Sequence, residues 1–188
     1  MWEQLDQQIF LFINRTTANP LFDVFFPWWT DFQKSPWFLF MVLPTILLWL
    51  FTKTRLKGVL VLVSAVVVAS FADFLSGDLV KPVFERARPY RSDIADLVIL
   101  RGPEQGGFSF PSSHTVDAFA LVVFIGVFYP KARVPLLALA SLTAYSRVYC
   151  GVHFPADVAA GALLGGLLGT ALGLMAKQIP MKWQRGPS

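Results

Sequence analysis

The feature that most constrains this chain is a series of long apolar runs separated by charged or proline-containing breaks. Two of these runs read VLVLVSAVVVASF and AAGALLGGLLGTALG, and neither contains an ionisable side chain. Of the 188 residues, 55% are hydrophobic and only 15% are charged, and the mean hydropathy is +0.55. Such a composition is typical of a protein that lies in a membrane, not of a soluble domain.

The apolar runs predict an all-α polytopic membrane bundle of about six transmembrane helices. Apolar residues at helical spacing between residues 4 and 14 favour an additional N-terminal helix that lies at the membrane surface. Several runs are shorter than the ~20 residues of a perpendicular span, so we expect a thin or tilted bundle. The whole chain, 1–188, is expected to form a single domain. The predicted spans are residues 19–31, 36–51, 56–80, 114–129, 134–149 and 154–176.

The last apolar run contains glycine and alanine at close intervals. In the stretch AAGALLGGLLGTALG, these small residues would let a neighbouring helix approach closely. We therefore interpret the pattern as a helix-packing surface and expect no binding site there.

Only one connection is long, at about residues 81–111, and a loop of this size in a compact protein usually carries function. With an even number of spans, this loop and the turn at 146–153 lie on the same side of the membrane. The opposite loops, TKTRLK and PKARVP, contain five basic residues and no acid, which favours the cytoplasm for them. The long loop is therefore predicted to be extracytoplasmic.

Three clusters of polar residues fall on the side of the long loop, within the sequences KPVFERARP, FPSSHT and SRVYCGVHFPADV. Charged side chains beside a membrane span are costly unless they serve a pathway or a site. Both histidines of the chain lie in these clusters. We expect the clusters to meet in one site. The candidate site residues are Lys81, Arg88, Ser112, Ser113, His114, Arg147, His153 and Asp157.

The clusters predict a phosphate pocket with a nucleophile. Lys81, Arg88 and Arg147 are cations, and arginine presents a planar fork that matches phosphate oxygens. Helices that begin near these clusters would add free N–H groups directed at the same anion. Asp157 can accept a hydrogen bond from one imidazole nitrogen of His153, which leaves the other nitrogen free to attack. A second histidine, His114, is then available for proton transfer.

The clusters also allow two other interpretations. His114, Cys150, His153 and Asp157 could together ligate a metal, but the surrounding cations disfavour a divalent ion, so no metal and no cofactor are expected. An anion or phosphate-lipid transporter would also place cations along a pathway, but it does not explain the pairing of His153 with Asp157. The net charge of +4 is too small and too scattered to indicate a nucleic-acid partner.

Three further acids lie near the clusters. Asp78 precedes Lys81 by three residues, so we expect the two to pair on one helix face. Asp117 follows His114 by three residues and would either tune that histidine or pair with an arginine. Asp73 is expected to be buried in the third span, where it would need a polar partner.

The clusters resemble the three signatures of the type 2 phosphatidic acid phosphatase superfamily of integral membrane lipid phosphatases, which are K-x6-R-P, P-S-G-H and S-R-x5-H-x3-D. Here the signatures span Lys81 to Pro89, Pro111 to His114 and Ser146 to Asp157, at full spacing. One position departs from the pattern, because Ser113 stands where the family usually has glycine. This departure bears on the local backbone and on head-group preference.

The resemblance implies metal-independent hydrolysis of a lipid phosphate through a phosphohistidine. His153 would be the nucleophile, Asp157 would support it, and His114 would protonate the leaving oxygen. Small bacterial members act on lipid A phosphates, undecaprenyl pyrophosphate or phosphatidylglycerophosphate, and we expect one of the first two here. The expected location is a bacterial inner membrane, with the site facing the periplasm or the outside. The residues that would hold the phosphoryl oxygens are Lys81, Arg88, Ser112, Ser113 and Arg147.

Overall fold

The computed structural model describes residues 1–32, 35–36, 40–41 and 43–178, and every regular element in these ranges is helical. The all-α prediction is therefore confirmed. Two π-helical segments, Phe12–Thr16 and Leu75–Val80, directly follow the α-helices Trp2–Leu11 and Leu56–Phe74 respectively. The α-helices are α1 (Trp2–Leu11), α2 (Pro20–Asp31), α3 (Leu43–Thr54), α4 (Leu56–Phe74), α5 (Lys81–Phe84), α6 (Ser113–Phe128), α7 (Arg133–Tyr149) and α8 (Pro155–Gln178).

Most helix boundaries agree with the predicted spans to within a few residues, because apolar runs and their breaks carry this information. For the predicted span at 36–51, helix α3 covers Leu43–Thr54, while residues 37–39 and 42 lie outside the described ranges. Among the described residues, Leu56–Arg91 and Pro155–Gln178 are long and apolar enough to cross a membrane, whereas α6 is apolar but shorter. A count of six crossings therefore stays a prediction.

The outer surface of the helices is strongly apolar. On α4, the side chains of Val63, Val67 and Phe71 are exposed, and on α8 those of Leu163 and Leu167 are exposed. A helix that is hydrophobic all round lies in a membrane or in the core of a large protein. These side chains are on the outside of the bundle, so lipid is the solvent that suits them.

Helix α6 lies at the centre of the bundle and packs on α4, α7 and, most extensively, α8. The contact with α8 depends on glycine. A Cβ atom on Gly169 would lie 2.5 Å from the carbonyl oxygen of Ala120, and one on Gly165 would collide with the carbonyl oxygen of Val116. The interpretation of the glycine-rich run as a close packing surface is therefore confirmed.

Helix α4 leads the chain into the polar end of the bundle. The π-helical segment Leu75–Val80 follows it directly and passes into the single turn of α5. Glu85 then takes a left-handed backbone conformation, with φ of 45°, and ends the helix. The reversal at Glu85 turns the following loop, residues 85–112, back across the end of the bundle.

The long loop is tied to the N-terminal part of the chain. The buried side chain of Asn14 donates to the carbonyl oxygens of Ile99 and Tyr149, both at 2.9 Å, and accepts from the Ile99 N–H at 2.8 Å. Arg101 donates to Asp23 at 2.6 Å and lies 4.4 Å from the ring centre of Tyr149. The loop is thus fixed against α2 and the end of α7.

Candidate active site

The three predicted clusters meet at one end of the bundle. The backbone N–H of Ser112 donates to the carbonyl oxygen of Asp157 at 3.1 Å, which joins the second cluster to the third. Arg88 Nη1 lies 3.2 Å from His153 Nε2, which joins the first cluster to the third. Lys81 lies within electrostatic range of Arg88 and Arg147. The site therefore draws on α5, the long loop, α6, α7 and α8.

His153 and Asp157 face each other at the start of α8. The imidazole of His153 is 2% exposed, and its Nδ1 lies 3.6 Å from Asp157 Oδ2 and 3.4 Å from Ser109 Oγ. Asp157 Oδ2 also accepts from Ser109 Oγ at 2.5 Å and from the Phe154 N–H at 2.8 Å. A proton on Nδ1 suits these acceptors, and Nε2 is then the unprotonated nitrogen, whose lone pair faces Arg88 Nη1 at 3.2 Å.

The surroundings of His153 keep its imidazole neutral. Burial lowers the pKa of His153 to about 4, and the nearby cations Arg147 and Arg88 act in the same direction, while Asp157 opposes them. At neutral pH the ring is therefore uncharged. A neutral imidazole is what nucleophilic attack through nitrogen requires.

Arg88 is fixed by the long loop. The residue is 4% exposed, and its guanidinium donates to the carbonyl oxygens of Gly106 at 2.9 Å, Gly107 at 3.2 Å and Val152 at 3.1 Å. All three of its nitrogen atoms are thus engaged by backbone oxygens. The orientation beside His153 Nε2 is set before any anion arrives, which is the arrangement that electrostatic catalysis favours.

Arg147 is buried, and its hydrogen-bonding capacity is only partly used. It is 2% exposed, and its Nη1 donates to Thr30 Oγ1 at 2.6 Å. Its buried Nε has no hydrogen-bond partner among the described residues. An unsatisfied buried donor is costly, and a phosphoryl oxygen would satisfy it. A cavity of about 70 Å³ adjoins Arg147 and is also lined by Thr30, Arg101, Gln105 and Cys150.

The second cluster forms the start of α6. Ser112 is the buried N-cap residue, and its Oγ accepts from Thr115 Oγ1 at 3.1 Å. Ser113, at the position where glycine is usual, lies half-buried with its Oγ 3.2 Å from that of Ser76. Its φ is not positive, so the backbone tolerates a side chain there. His114 follows, half-buried, in the first turn of the same helix.

The expectations for two nearby acids are wrong. Asp78 is exposed and forms no ion pair with Lys81 within the described ranges, because the π-helical segment changes the residue spacing that would place the two on one face. Asp73 is exposed, not buried. Lys81 instead lies within electrostatic range of Asp73 and Asp117, and Asp117 has a buried Oδ1 without a hydrogen-bond partner in the described part of the chain.

A metal-binding arrangement gains no support from the geometry. In the part of the chain that the structure describes, no three His, Cys, Asp or Glu side chains are grouped as a metal site would require. Cys150 is buried, and burial raises the pKa of its thiol to about 11, so it is a protonated thiol and a poor ligand at neutral pH.

Sequence reasoning missed the residues that hold Asp157. Arg86 Nη1 donates to Asp157 Oδ1 at 2.7 Å, and Arg86 Nη2 donates to Asp6 Oδ2 at 2.6 Å. Ser109 donates to the other carboxylate oxygen. Arg86 lies inside the stretch KPVFERARP, but nothing in the local sequence distinguishes it from a solvated arginine.

Comparison with known proteins identifies the family of this chain. Residues 57–180 match the family model of the PAP2 superfamily. The lipid A 4'-phosphatase of Bacteroides thetaiotaomicron is 32% identical over 186 residues, which cover 96% of this chain and 80% of that protein. The undecaprenyl-diphosphatase of Sulfolobus acidocaldarius is 34% identical over 122 residues, which cover 64% of this chain and 56% of that protein.

Two crystal structures share the fold. LpxE of Aquifex aeolicus has a TM-score of 0.66 and 32% identity, and the match covers 91% of this chain and 95% of that chain. The transmembrane PAP2-type phosphatidylglycerolphosphate phosphatase of Bacillus subtilis has a TM-score of 0.70 and 25% identity, and the match covers 95% of this chain and 87% of that chain. Fold, site and relatives together define a membrane lipid phosphatase. The chain belongs to the PAP2 superfamily, as its three signatures predicted.

Proposed function

We propose that this enzyme hydrolyses a phosphate monoester or pyrophosphate on a membrane lipid, without a metal ion, through a phosphohistidine at His153. The observation that carries the proposal is the setting of one buried, neutral imidazole. Its Nδ1 faces Asp157, and its Nε2 lies 3.2 Å from the guanidinium of Arg88. A nucleophilic nitrogen therefore lies beside a cation that would bind the phosphoryl group it attacks.

In the first step, the lone pair of His153 Nε2 attacks phosphorus and the bond from phosphorus to the lipid oxygen breaks. His114 donates a proton to that departing oxygen. The proton on His153 Nδ1 stays in place, and Asp157 balances the positive charge that the ring acquires. Arg88, Arg147 and the other phosphate-binding residues neutralise the charge on the phosphoryl oxygens.

In the second step, water attacks the phosphohistidine and the nitrogen–phosphorus bond breaks. His114, which gave up its proton in the first step, now takes one from the attacking water. Inorganic phosphate leaves, and His153 returns to its neutral form. The two histidines thus have separate tasks in both steps.

The substrate that we favour is a phosphate of lipid A, with undecaprenyl pyrophosphate second and phosphatidylglycerophosphate third. A relative named a lipid A 4'-phosphatase matches 96% of the chain at 32% identity, while a relative named a putative undecaprenyl-diphosphatase matches 95% of it at the lower identity of 29%. The proposed setting is the inner membrane of a bacterium, crossed several times, with the long loop and the site on the outer side. From there a lipid would present its phosphate while its tails stay in the bilayer.

The test is phosphate release by the purified protein in detergent over a panel of lipid A, undecaprenyl pyrophosphate and phosphatidylglycerophosphate, with and without EDTA. We expect release from lipid A, undiminished by EDTA and inhibited by vanadate. Loss of activity with EDTA that zinc or magnesium restores would overturn the metal-free mechanism. Release from none of the three lipids would overturn the proposed substrate class, and no observation favours the transporter alternative.

A further inference from the structure

The carboxylate of Asp157 is held by donors on both of its oxygens. Arg86 Nη1 donates to Oδ1 at 2.7 Å, while Ser109 Oγ and the Phe154 N–H donate to Oδ2 at 2.5 Å and 2.8 Å. Asp157 is fully buried. The carboxylate therefore cannot rotate without breaking a charge-assisted hydrogen bond, and its position beside His153 Nδ1 is set by these partners.

Arg86 is itself held on three sides. Its Nη1 contacts Asp157, its Nη2 donates to Asp6 Oδ2 at 2.6 Å, and its guanidinium carbon lies 4.2 Å from the ring centre of Phe154. Phe154 directly follows His153 in the chain. A lysine could keep the charge here, but it could not reach both carboxylates with a planar fork.

Asp6 brings the N-terminal helix α1 into this arrangement. It is 8% exposed, and its Oδ1 accepts from the backbone N–H of Ala156 at 2.8 Å, in the first turn of α8. One carboxylate of α1 therefore binds both Arg86 and the start of the helix that carries Asp157. These residues lie far apart in the sequence, so only the fold brings them together.

The charges of this group suit the reaction. The guanidinium of Arg86 lies between the carboxylates of Asp6 and Asp157, so the three side chains together have a net charge of about −1. If Arg86 paired with Asp157 alone, it would cancel the charge that Asp157 presents to His153. Asp6 offsets Arg86, and the group retains a negative charge for the imidazolium of the phosphorylated ring.

We propose that Arg86 and Asp6 are positioning residues for Asp157, so that helix α1 is part of the catalytic framework. This inference rests on the proposed roles of His153 and Asp157. Neither Arg86 nor Asp6 contacts a reacting atom; both act through the carboxylate that orients the nucleophile.

The test is a double-mutant cycle in steady-state phosphate release. Arg86→Gln should lower kcat by about 10- to 100-fold, because small misplacements of a catalytic group cost this much, and should leave KM nearly unchanged. Asp6→Asn should lower kcat by less, about 3- to 10-fold, and Arg86→Lys should recover part of the loss. In an Asp157→Asn background, Arg86→Gln should cost almost nothing further, because the group it positions is already impaired.

The chain offers a matched control. Gln7 donates to Asp93 at 3.1 Å, so this pair also links α1 to the long loop, but it does not contact Asp157. Asp93→Asn should keep the kcat of the wild type. If Asp93→Asn lowers kcat as much as Asp6→Asn does, the link between α1 and the loop is only structural and the inference is wrong.

Three further outcomes separate this inference from the function on which it rests. Equal losses for Arg86→Gln in the wild-type and Asp157→Asn backgrounds would contradict positioning through Asp157. His153→Ala belongs in the same assay: if it still releases phosphate, the proposed mechanism fails as a whole. If His153→Ala is inactive while Arg86→Gln and Asp6→Asn match the wild type, only the positioning role fails. Should Arg86→Gln not fold, Arg86→Lys and Asp6→Asn complete the same cycle.

Discussion

The two halves of the proposed phosphate pocket are built differently. In the closed half, formed by Arg88, His153 and Asp157, every side chain is buried and held by the long loop or by the start of α8. In the open half, formed by Arg147 and the start of α6, the buried Arg147 Nε has no partner among the described residues and Ser113 is only half-buried. Fixed groups suit the nucleophile, and groups with unused donors suit a phosphoryl group that arrives and leaves.

The largest expected effect tests the separate roles proposed for the two histidines. His153→Ala should abolish turnover, even of a nitrophenyl phosphate ester, because Arg88 is a cation and both carboxylate oxygens of Asp157 are held by hydrogen-bond donors. In His114→Ala, the same activated ester should still form the phosphoenzyme, because nitrophenolate leaves without a proton. The second step should then stall, since no base activates water.

Rapid mixing of each variant with the nitrophenyl ester provides the measurement. We expect a burst of nitrophenolate and acid-labile phosphate on the protein in His114→Ala, and neither in His153→Ala. Labelling of His153→Ala together with an unlabelled His114→Ala would reverse the two roles.

The next effect compares the arginines of the two halves. Replacing either Arg88 or Arg147 by lysine keeps the charge and loses the fork, and we expect kcat/KM to fall by about 10- to 1000-fold in both. The two variants should differ in the protease sensitivity of the long loop. Arg88→Lys also loses hydrogen bonds to the carbonyl oxygens of Gly106 and Gly107, so the long loop should become more sensitive to protease.

Arg147→Lys should leave the protease sensitivity of the loop unchanged, because Arg147 donates to Thr30 of α2 and, among the described residues, makes no hydrogen bond to the loop. The control is Arg91→Gln, which removes an exposed ion pair to Glu104 and should alter kcat/KM very little. Wild-type kcat/KM in Arg147→Lys would show that only net charge matters in the open half.

How far the sequence predicts this molecule can be judged from particular residues. Helices α4, α6, α7 and α8 were predicted because apolar periodicity is local. Lys81, Arg88 and Arg147 could be proposed as phosphate-binding residues because motif spacing is local too. The partners of Asp157 were not predicted, since Asp6 and Arg86 are separated from it by 151 and 71 residues respectively. The Asp78 and Lys81 pairing failed because sequence did not reveal the π-helical segment between Leu75 and Val80.

A smaller, pH-dependent effect probes the burial of the closed half. Burial lowers the pKa of His153 to about 4, so the imidazole should stay neutral at pH 5.5, where an ordinary histidine with a pKa near 6.5 is about nine-tenths protonated. The chain has two histidines, so His114→Asn leaves one imidazole to follow by NMR. In the folded protein, the imidazole signals of His153 should be those of the neutral ring at pH 5.5. After denaturation, the same signals should titrate near pH 6.5.

The sign of the linked stability follows from the same pKa. Between about pH 6.5 and 4, His153 is protonated in the unfolded state but not in the folded state. The free energy of unfolding should therefore decrease as the pH falls through this range. Above that range His153 is neutral in both states and contributes no pH dependence. A native His153 that titrates near 6.5 would mean that the closed half is open to water.

The smallest effect is expected in the open half, at the position where this chain departs from the family. Ser113→Gly removes the side chain that lies against Ser76 and leaves a backbone whose φ suits either residue. We expect kcat/KM to change by less than about 5-fold, since a single neutral hydrogen bond contributes about 1 kcal/mol. Ser76→Ala breaks the same contact and keeps the side chain of Ser113, which makes it the matched control.

Both variants should be assayed on lipid A and on undecaprenyl pyrophosphate. If the side chain of Ser113 sets head-group preference, Ser113→Gly changes the ratio of the two kcat/KM values and Ser76→Ala does not. Equal ratios in both variants and the wild type would show that the hydroxymethyl group only packs against Ser76, and that head-group preference arises elsewhere in the open half.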